Sequence, residues 1–595
     1  MFVKTLSCDY TMTFLTVLRP KTSTLNSTVD PIPNGGSFTG GTENVTDYAS
    51  TTVFIRSDQP LTLDLQRSTD GVTWYTQETH SITSSQEISF TMEITAEFFR
   101  VVCTNNSGSP TDIVLETLLN PYKNSDSAIV GAIEENTSVI NNIANPASLD
   151  AFARLRVSNP ETLTDNNFLT DKNPLRWDEK VSGTGGNIAH TPGYLSLRAT
   201  PLGGRVVNQR RLYTPYQPGK SLLILATGTL LVDTTNIGDT ISRIGYFDDE
   251  NDKTAETGTV YGCGYFFEYD YDATTSTGTL SVVERTCYDN LGVIIPQSDN
   301  KIPQSNWNID PMDGSGPSGI TIDPTKRQIF LIEMEWLGVG TVQLGIVVDR
   351  QVFYVHRFDH ANLVDAYPYI PRASLPIRYE IEQSTSGITD AQMIQVCSTV
   401  ISEGGYLPTG LNFALANTQQ VTVSDGPGVD TVLIALRLRS DRARVTVRIT
   451  NFSFTEDSGG TLLYKLWRIV PLNQIDLETD PDGNGAAIIN STTPPGIPLN
   501  SWTQYNPGTS AVEYGDVTSG TKYYINLSKT DALFEVLSTG YLTTAQRAIT
   551  PNFTEIFSAV LTSDIAGNSD YIVLTLSDLS GNPSCYASIE WQEVE

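Results

Sequence analysis

Apolar and polar positions alternate with period two along the front of the chain, the mark of strands with one buried face. Leu61, Leu63 and Leu65 fall on one side, and Thr62, Asp64 and Gln66 on the other. Ile88, Phe90, Met92 and Ile94 form a second row, and Phe99, Val101 and Cys103 a third. Turn residues separate the rows: Asp70-Gly71 ahead of Trp74, and Asn105-Asn106-Ser107-Gly108. Residues 1–120 are expected to fold as a small immunoglobulin-like β-sandwich.

The period then changes. Ile129, Ile133, Asn136, Ile140 and Ile143 are spaced by four, three, four and three, a heptad seam with one polar position. Two heptads are marginal alone, and Gly131 weakens them. Residues 121–165 are therefore expected to be a connector with a short helix. It is read either as a linker packed on its own chain or as an oligomerisation helix, trimeric, with Asn136 setting register.

Strand patterns return after this connector. SLLILATGTLLV, GYFFEYD, GTLSVVERT, QIFLIEMEWLG, GTVQLGIVVD and QVFYVHRF carry almost no helical period. Residues 166–405 are expected to form one large two-sheet jelly roll, resembling lectin domains. Asp313 to Gly319 is a loop, because glycine, proline and serine cluster there. VLIALRLR, RVTVRITNFSF, KYYINL, YIVLTLSD and CYASIEWQ mark a further β-sandwich domain over 406–595, single or double. The fold class is mainly β and multi-domain.

Composition narrows the function. Among 595 residues, 67 Asp+Glu against 37 Lys+Arg give a formal net charge of -30. Nucleic-acid affinity and docking on anionic lipid both need clustered cations, so neither partner is expected. The longest apolar stretch, Ser221 to Val232, is too short to cross a bilayer. Threonines break TMTFLTVL near the N-terminus, so a cleaved secretion signal is not expected. The six cysteines include no CxxC pair and are expected to be small buried side chains; Cys263 and Cys287 are placed to meet across neighbouring strands.

Three stretches resemble virion proteins of tailed phages and large double-stranded DNA viruses. They are SLDAFARLRVSNPETL from Ser148 with the following WDEKVSGTG, SRIGYFDDEND from Ser242, and the block from Asn306 to Phe358. CSTVISEGGY, from Cys397 to Tyr406, closes that block. The likeness covers about 150–405. It departs from the family pattern DAFGRLRV at Ala153, which stands where the glycine is common. The resemblance implies a structural protein located in the virion, of fibre, spike, appendage or minor capsid type, without assigned catalytic residues. It implies other virion proteins and further copies of the chain as partners, a homotrimer first, with host surface glycan as a further contact.

Glu333 and Glu335 in LIEMEWLG lie two apart, so a strand projects both from one face. Paired carboxylates in a sheet groove are what glycoside hydrolysis uses. Leu337, however, stands where such strands carry a third acid. The favoured reading is the solvated face of a strand whose core face holds Phe330, Ile332, Met334 and Trp336. Asp480, Asp482 and Asn484, followed by Gly485, have the spacing of a calcium loop, but Ser491 replaces the closing acid, and a plain turn is the simpler reading. Arg437, Arg439, Arg442, Arg444 and Arg448 are expected on one hairpin, able to hold an acidic neighbour or an anionic glycan. His356 and His360 would share a metal only on a helix, and the alternation there predicts a strand running into a turn. Tyr261, Tyr265, Tyr269, Tyr271, Phe266 and Phe267 form an aromatic patch of which half must face the core. Motifs of nucleophilic hydrolases and nucleotide-binding loops are missing, so no enzyme is expected. A glycan-cleaving depolymerase using Glu333 and Glu335, and a carbohydrate-binding capsid decoration protein, are the alternatives. No cofactor is expected beyond the calcium.

Overall fold

Leu61, Leu63 and Leu65 are buried in the computed structural model, and so are Phe99, Val101 and Cys103 on the neighbouring strand. The structure describes residues 21–120 except 47 and 108. It also describes 159–594 except 259–260, 290–292, 364–366, 386, 418–419, 424–425, 457–458, 473–488, 492–501, 505–509, 516–522, 526–531 and 544–558. The chain divides into two units, Met1–Val139 and Ile140–Glu595. Among the described residues there is no α-helix, and all strand pairs are antiparallel. Three of the sequence-predicted features, the 129–143 seam, Ala153 and Asp480/Asp482/Asn484, lie outside the described residues.

The first unit is a two-sheet sandwich. One sheet runs Lys21–Thr22, Ile113–Asn120, Ser50–Ser57, Gln86–Glu93. The other runs Ser37–Thr39, Phe98–Asn105, Leu61–Ser68, Tyr75–Ile82, with Glu43–Asn44 beside Phe98–Asn105. The alternating rows read from the sequence are the two inner faces, with Val53, Ile55 and Met92 between them.

The second unit contains the central jelly roll. An eight-stranded sheet runs Gly186–Thr191, Tyr194–Ala199, Ala391–Ser402, Leu222–Thr229, Gln328–Glu335, Thr341–Val348, Gln351–Asp359, and Glu161–Asn167 also pairs with Ala391–Ser402. A seven-stranded sheet runs Trp177–Ser182, Arg205–Arg210, Ile377–Gln383, Thr240–Phe247, Gly264–Asp272, Thr277–Tyr288, Ile294–Pro303. The first of these strands thus begins at Glu161, inside the stretch expected as connector. Between the sheets lie Trp177, Ile244, Phe267, Phe330, Ile332, Met334, Leu344 and Tyr379. The hairpin after Glu335 needs a bare Cα: a Cβ on Gly340 would meet the Glu335 carbonyl oxygen at 1.7 Å.

Two further sheets follow. One runs Leu411–Ala416, Ser584–Val594, Thr446–Glu456, Val560–Leu561. The other is built on Thr431–Leu438, Tyr571–Ser580, Thr461–Pro471 and Ala532–Thr543. Leu433, Ile449, Leu466, Leu574 and Trp591 fill one core between them.

Candidate functional site

Glu333 and Glu335 project from the face of Gln328–Glu335 opposite to Ile332 and Met334, as period two requires. They are not solvated. Both side chains are wholly buried, which corrects the expectation of an exposed polar face. The Tyr354 phenol donates to Glu333, and the Tyr216 phenol donates to Glu335 Oε1 at 3.1 Å. Tyr354 reaches Glu333 because Gly345, beside it on Thr341–Val348, leaves room for the ring: a Cβ there would come within 3.4 Å of Tyr354 Cδ1. Burial, and then the Glu335 carboxylate, push the Tyr216 phenol up, so it stays a donor. The aromatic indole of Trp336 is tied to the Ile370 carbonyl at 3.1 Å. Glycoside hydrolysis needs one carboxyl group at the scissile bond and the other facing water or the sugar, and neither carboxyl here meets solvent.

The histidines are committed to separate partners. His356 Nδ1 accepts from the Asn308 amide at 3.1 Å, and burial lowers its pKa to about 4. His360 stacks on Tyr369 at 3.7 Å, donates from Nδ1 to the Gly340 carbonyl at 2.8 Å and places Nε2 2.7 Å from Glu284. Among the described residues no group of three or more His, Cys, Asp and Glu side chains is arranged to hold a metal. The aromatic patch is interior: Tyr265, Phe267, Tyr269 and Tyr271 face the central core, and Phe266 packs on Phe247 and Val283 on the other side of the sheet. Cys103, Cys263, Cys287 and Cys585 are buried free thiols, and Cys397 is half-buried.

The arginine cluster is not a hairpin. Thr431–Leu438 and Thr446–Glu456 belong to different sheets, so the segment between them crosses from one layer to the other. Three of its five cations are paired within the chain. Arg437 pairs with Glu513 at 3.0 Å, and Arg439 with Asp441 at 2.7 Å. Arg444 pairs with Glu256 at 3.0 Å and donates to the Tyr261 carbonyl at 2.7 Å.

What the sequence reading missed is the outer face of the seven-stranded sheet. Register sets Glu380 beside Arg243 and Arg243 beside Glu268, three charges in a row across three strands. Arg243 reaches Glu268 at 2.8 Å and Glu380 at 2.7 Å. Asp252, from the short turn Glu250–Asp252 above the sheet, receives Lys180 at 2.9 Å, Arg205 at 2.8 Å and Arg378 at 2.5 Å. Burial alone would raise the Asp252 and Glu380 carboxyls, but the surrounding guanidinium groups outweigh it and hold both well below the usual range. IRYEIEQ, SRIGYFDDEND and GYFFEYD carry the alternation that was available as a signal. Single strands do not show that their charged faces lie side by side.

The same face continues into the junction with the C-terminal sheets. Arg211, fully buried, joins Asp178 at 3.0 Å to Asp570 at 3.2 Å, and Arg468 reaches Asp570 at 2.5 Å. The Ile565 amide donates to Asp178 at 2.8 Å, Ala255 to the Ala566 carbonyl at 2.9 Å, and the Thr446 hydroxyl to the Tyr213 carbonyl at 2.8 Å. Buried charges left unpaired are costly, so these pairs fix one relative placement of the two sandwiches.

These layers define a multi-sandwich, mainly β protein built around a jelly roll of an eight-stranded and a seven-stranded sheet. No family model and no curated protein matches the chain. Among solved structures, a legume lectin-like domain from Entamoeba histolytica is 12% identical over 40% of this chain and 97% of its own, at a TM-score of 0.25. An endo-1,3-beta-glucanase from Streptomyces sioyaensis is 10% identical over 41% and 96%, at 0.25. The PBSX exported protein XepA is 7% identical over 64% and 86%, at 0.17. At these identities and scores the likenesses carry nothing about binding or chemistry.

Proposed function

We propose that the chain is a structural protein of a virion, a fibre, spike or appendage that works by assembly and surface display and not by catalysis. The observation that carries this reading is the junction through Arg211. It ties the central and C-terminal sandwiches together through buried charge pairs, while the acid pair best placed for hydrolysis is closed under Tyr354 and Tyr216. The resemblance of the 150–405 block to virion proteins supports it. A net charge of -30 keeps a high-copy assembly dispersed. Further copies, joined as a trimer through the 129–143 seam, other virion proteins and host glycan are the partners of this proposal. The test is quantitative mass spectrometry of purified particles, with immunogold labelling by antibody to the recombinant chain. The chain in fixed stoichiometry with the major capsid protein, and label at a fixed place on intact particles, is the expected result. Its absence from purified particles overturns the reading.

A further inference from the structure

Among the described residues the sheet edges are managed in a consistent way, with one exception. An unpaired edge is a template for another strand, and proteins blunt it with short strands, charges, proline or inward-facing polar residues. Tyr75–Ile82 carries Glu78 and His80, which bond to each other at 3.0 Å. Gln86–Glu93 carries Glu87 and Glu93. Ile294–Pro303 carries Pro296, Asp299 and Lys301, and Gln351–Asp359 ends in Arg357 and Asp359. Gly186–Thr191 and Leu411–Ala416 have six residues each, and Lys21–Thr22 and Val560–Leu561 two each.

Ala532–Thr543 is the least protected of them: it has no proline, a single charge and one bulge. It is 12 residues long, ALFEVLSTGYLT, and among the described residues it pairs only with Thr461–Pro471. Val536 is 44% exposed and Tyr541 66% exposed. Its one charge, Glu535, is taken by Arg176 at 3.2 Å and lies 3.6 Å from Arg468.

The strand is also complementary to itself. Its pairing shifts register between Leu466/Trp467, where Val536 and Ser538 face consecutive residues and Leu537 is extra. That bulge reverses the alternation, so Phe534 and Val536 share a face with Thr539 and Tyr541, and Leu533 and Glu535 share the other with Gly540 and Leu542. An antiparallel copy related by a two-fold axis between Leu537 and Ser538 then sets Phe534 opposite Tyr541, Leu533 opposite Leu542, Val536 opposite Thr539 and Glu535 opposite Gly540. Every pair lies on one face, one is aromatic on aromatic, and no like charges meet.

We infer that Ala532–Thr543 is a homotypic docking edge, where a second copy of this chain adds its own Ala532–Thr543 in antiparallel register to extend the C-terminal sheet across a two-fold axis. The contact is isologous and closes on itself, so it joins chains, or whole trimers, in pairs.

The test is the solution mass of the full chain by light scattering on a sizing column, beside Val536→Lys/Tyr541→Lys. Two added lysines per edge oppose pairing and point outward, so circular dichroism and Tm stay unchanged. The mass is expected to fall twofold, from dimer to monomer, or from a pair of trimers to one trimer if the connector seam also associates. The factor of two therefore reads the edge, and the mass that remains reads the seam. In Val536→Cys/Thr539→Cys, oxidation is expected to give a disulfide-linked dimer on a non-reducing gel, which the unaltered chain does not give. An unchanged mass in the lysine variant, or failure of the cysteine variant to cross-link, overturns the inference.

Discussion

Arg211 and Asp570 meet at 3.2 Å with both side chains wholly buried, one just after a strand of the central sandwich and the other just before a C-terminal strand. Asp178 holds the other side of the same guanidinium at 3.0 Å. Removing the cation leaves two carboxylates in the interior with less to balance them.

Arg211→Ala is therefore expected to destabilise the second unit by about 3–5 kcal/mol, the usual effect of breaking a buried pair from one side. Arg439→Ala is the comparison, because its partner Asp441 is 39% exposed, and such pairs contribute about 1 kcal/mol or less. Urea midpoints by circular dichroism decide it. Equal midpoints for the two variants would remove the junction as a source of rigidity.

Acid acts on this junction with a definite sign. Burial, then the neighbouring Asp178, push the Asp564 carboxyl up to about 6 from an ordinary 3.8. A raised folded pKa means that the folded state binds the proton more tightly. The resulting stability is complete below 3.8 and is lost as pH rises through about 6. Asp252 and Glu380 are depressed, so their contribution is present at neutral pH and lost only in strong acid. From pH 7.5 to pH 5 protonation of Asp564 should add on the order of 1 kcal/mol of stability, while His356, buried and held near 4, withdraws a similar amount, so the Asp564 contribution is read as the difference between the wild-type and Asp564→Asn profiles. Parallel profiles for wild type and Asp564→Asn over this range would contradict the assignment.

The strands that bury one face were legible because period two survives in sequence: Leu61, Leu63 and Leu65 are the case in point. Glu333 and Glu335 were not, because the same alternation also describes a strand buried on both faces with tyrosines closing over the second. The arginine cluster misled for a related reason. A short turn between two strands looks the same whether they pair or pass to opposite layers, and only the registers of Thr431–Leu438 and Thr446–Glu456 separate the cases. Arg211 carried no signal, since its partners lie 33 and 359 residues away.

The thiols give a simpler expectation. Burial pushes Cys103, Cys287 and Cys585 up to about 12 and Cys263 well above its ordinary value, so little nucleophilic thiolate forms at neutral pH. In a Cys8→Ser background, an aromatic disulfide reagent should label the native chain at Cys397 alone, and all five cysteines in urea. Reductant should leave Tm unchanged, because these cysteines are free thiols. Rapid native labelling of Cys263 would show the core of the central sandwich opening.

The closed acid pair makes the most direct claim against catalysis. Glutamine at 333 and at 335 keeps the shape and an oxygen acceptor for Tyr354 and Tyr216. The double variant should fold with Tm close to wild type, and any release of reducing ends from host polysaccharide by the wild-type preparation should persist in it. Tyr354→Phe is expected to do more harm, about 1–3 kcal/mol, because it strips a phenol donor from a buried carboxylate. That ordering, with the phenol mattering more than the charge, is what a structural role predicts. A hydrolase predicts the reverse, with polysaccharide cleavage abolished by Glu333→Gln or Glu335→Gln while stability stays intact, and that result would return the pair to an active site.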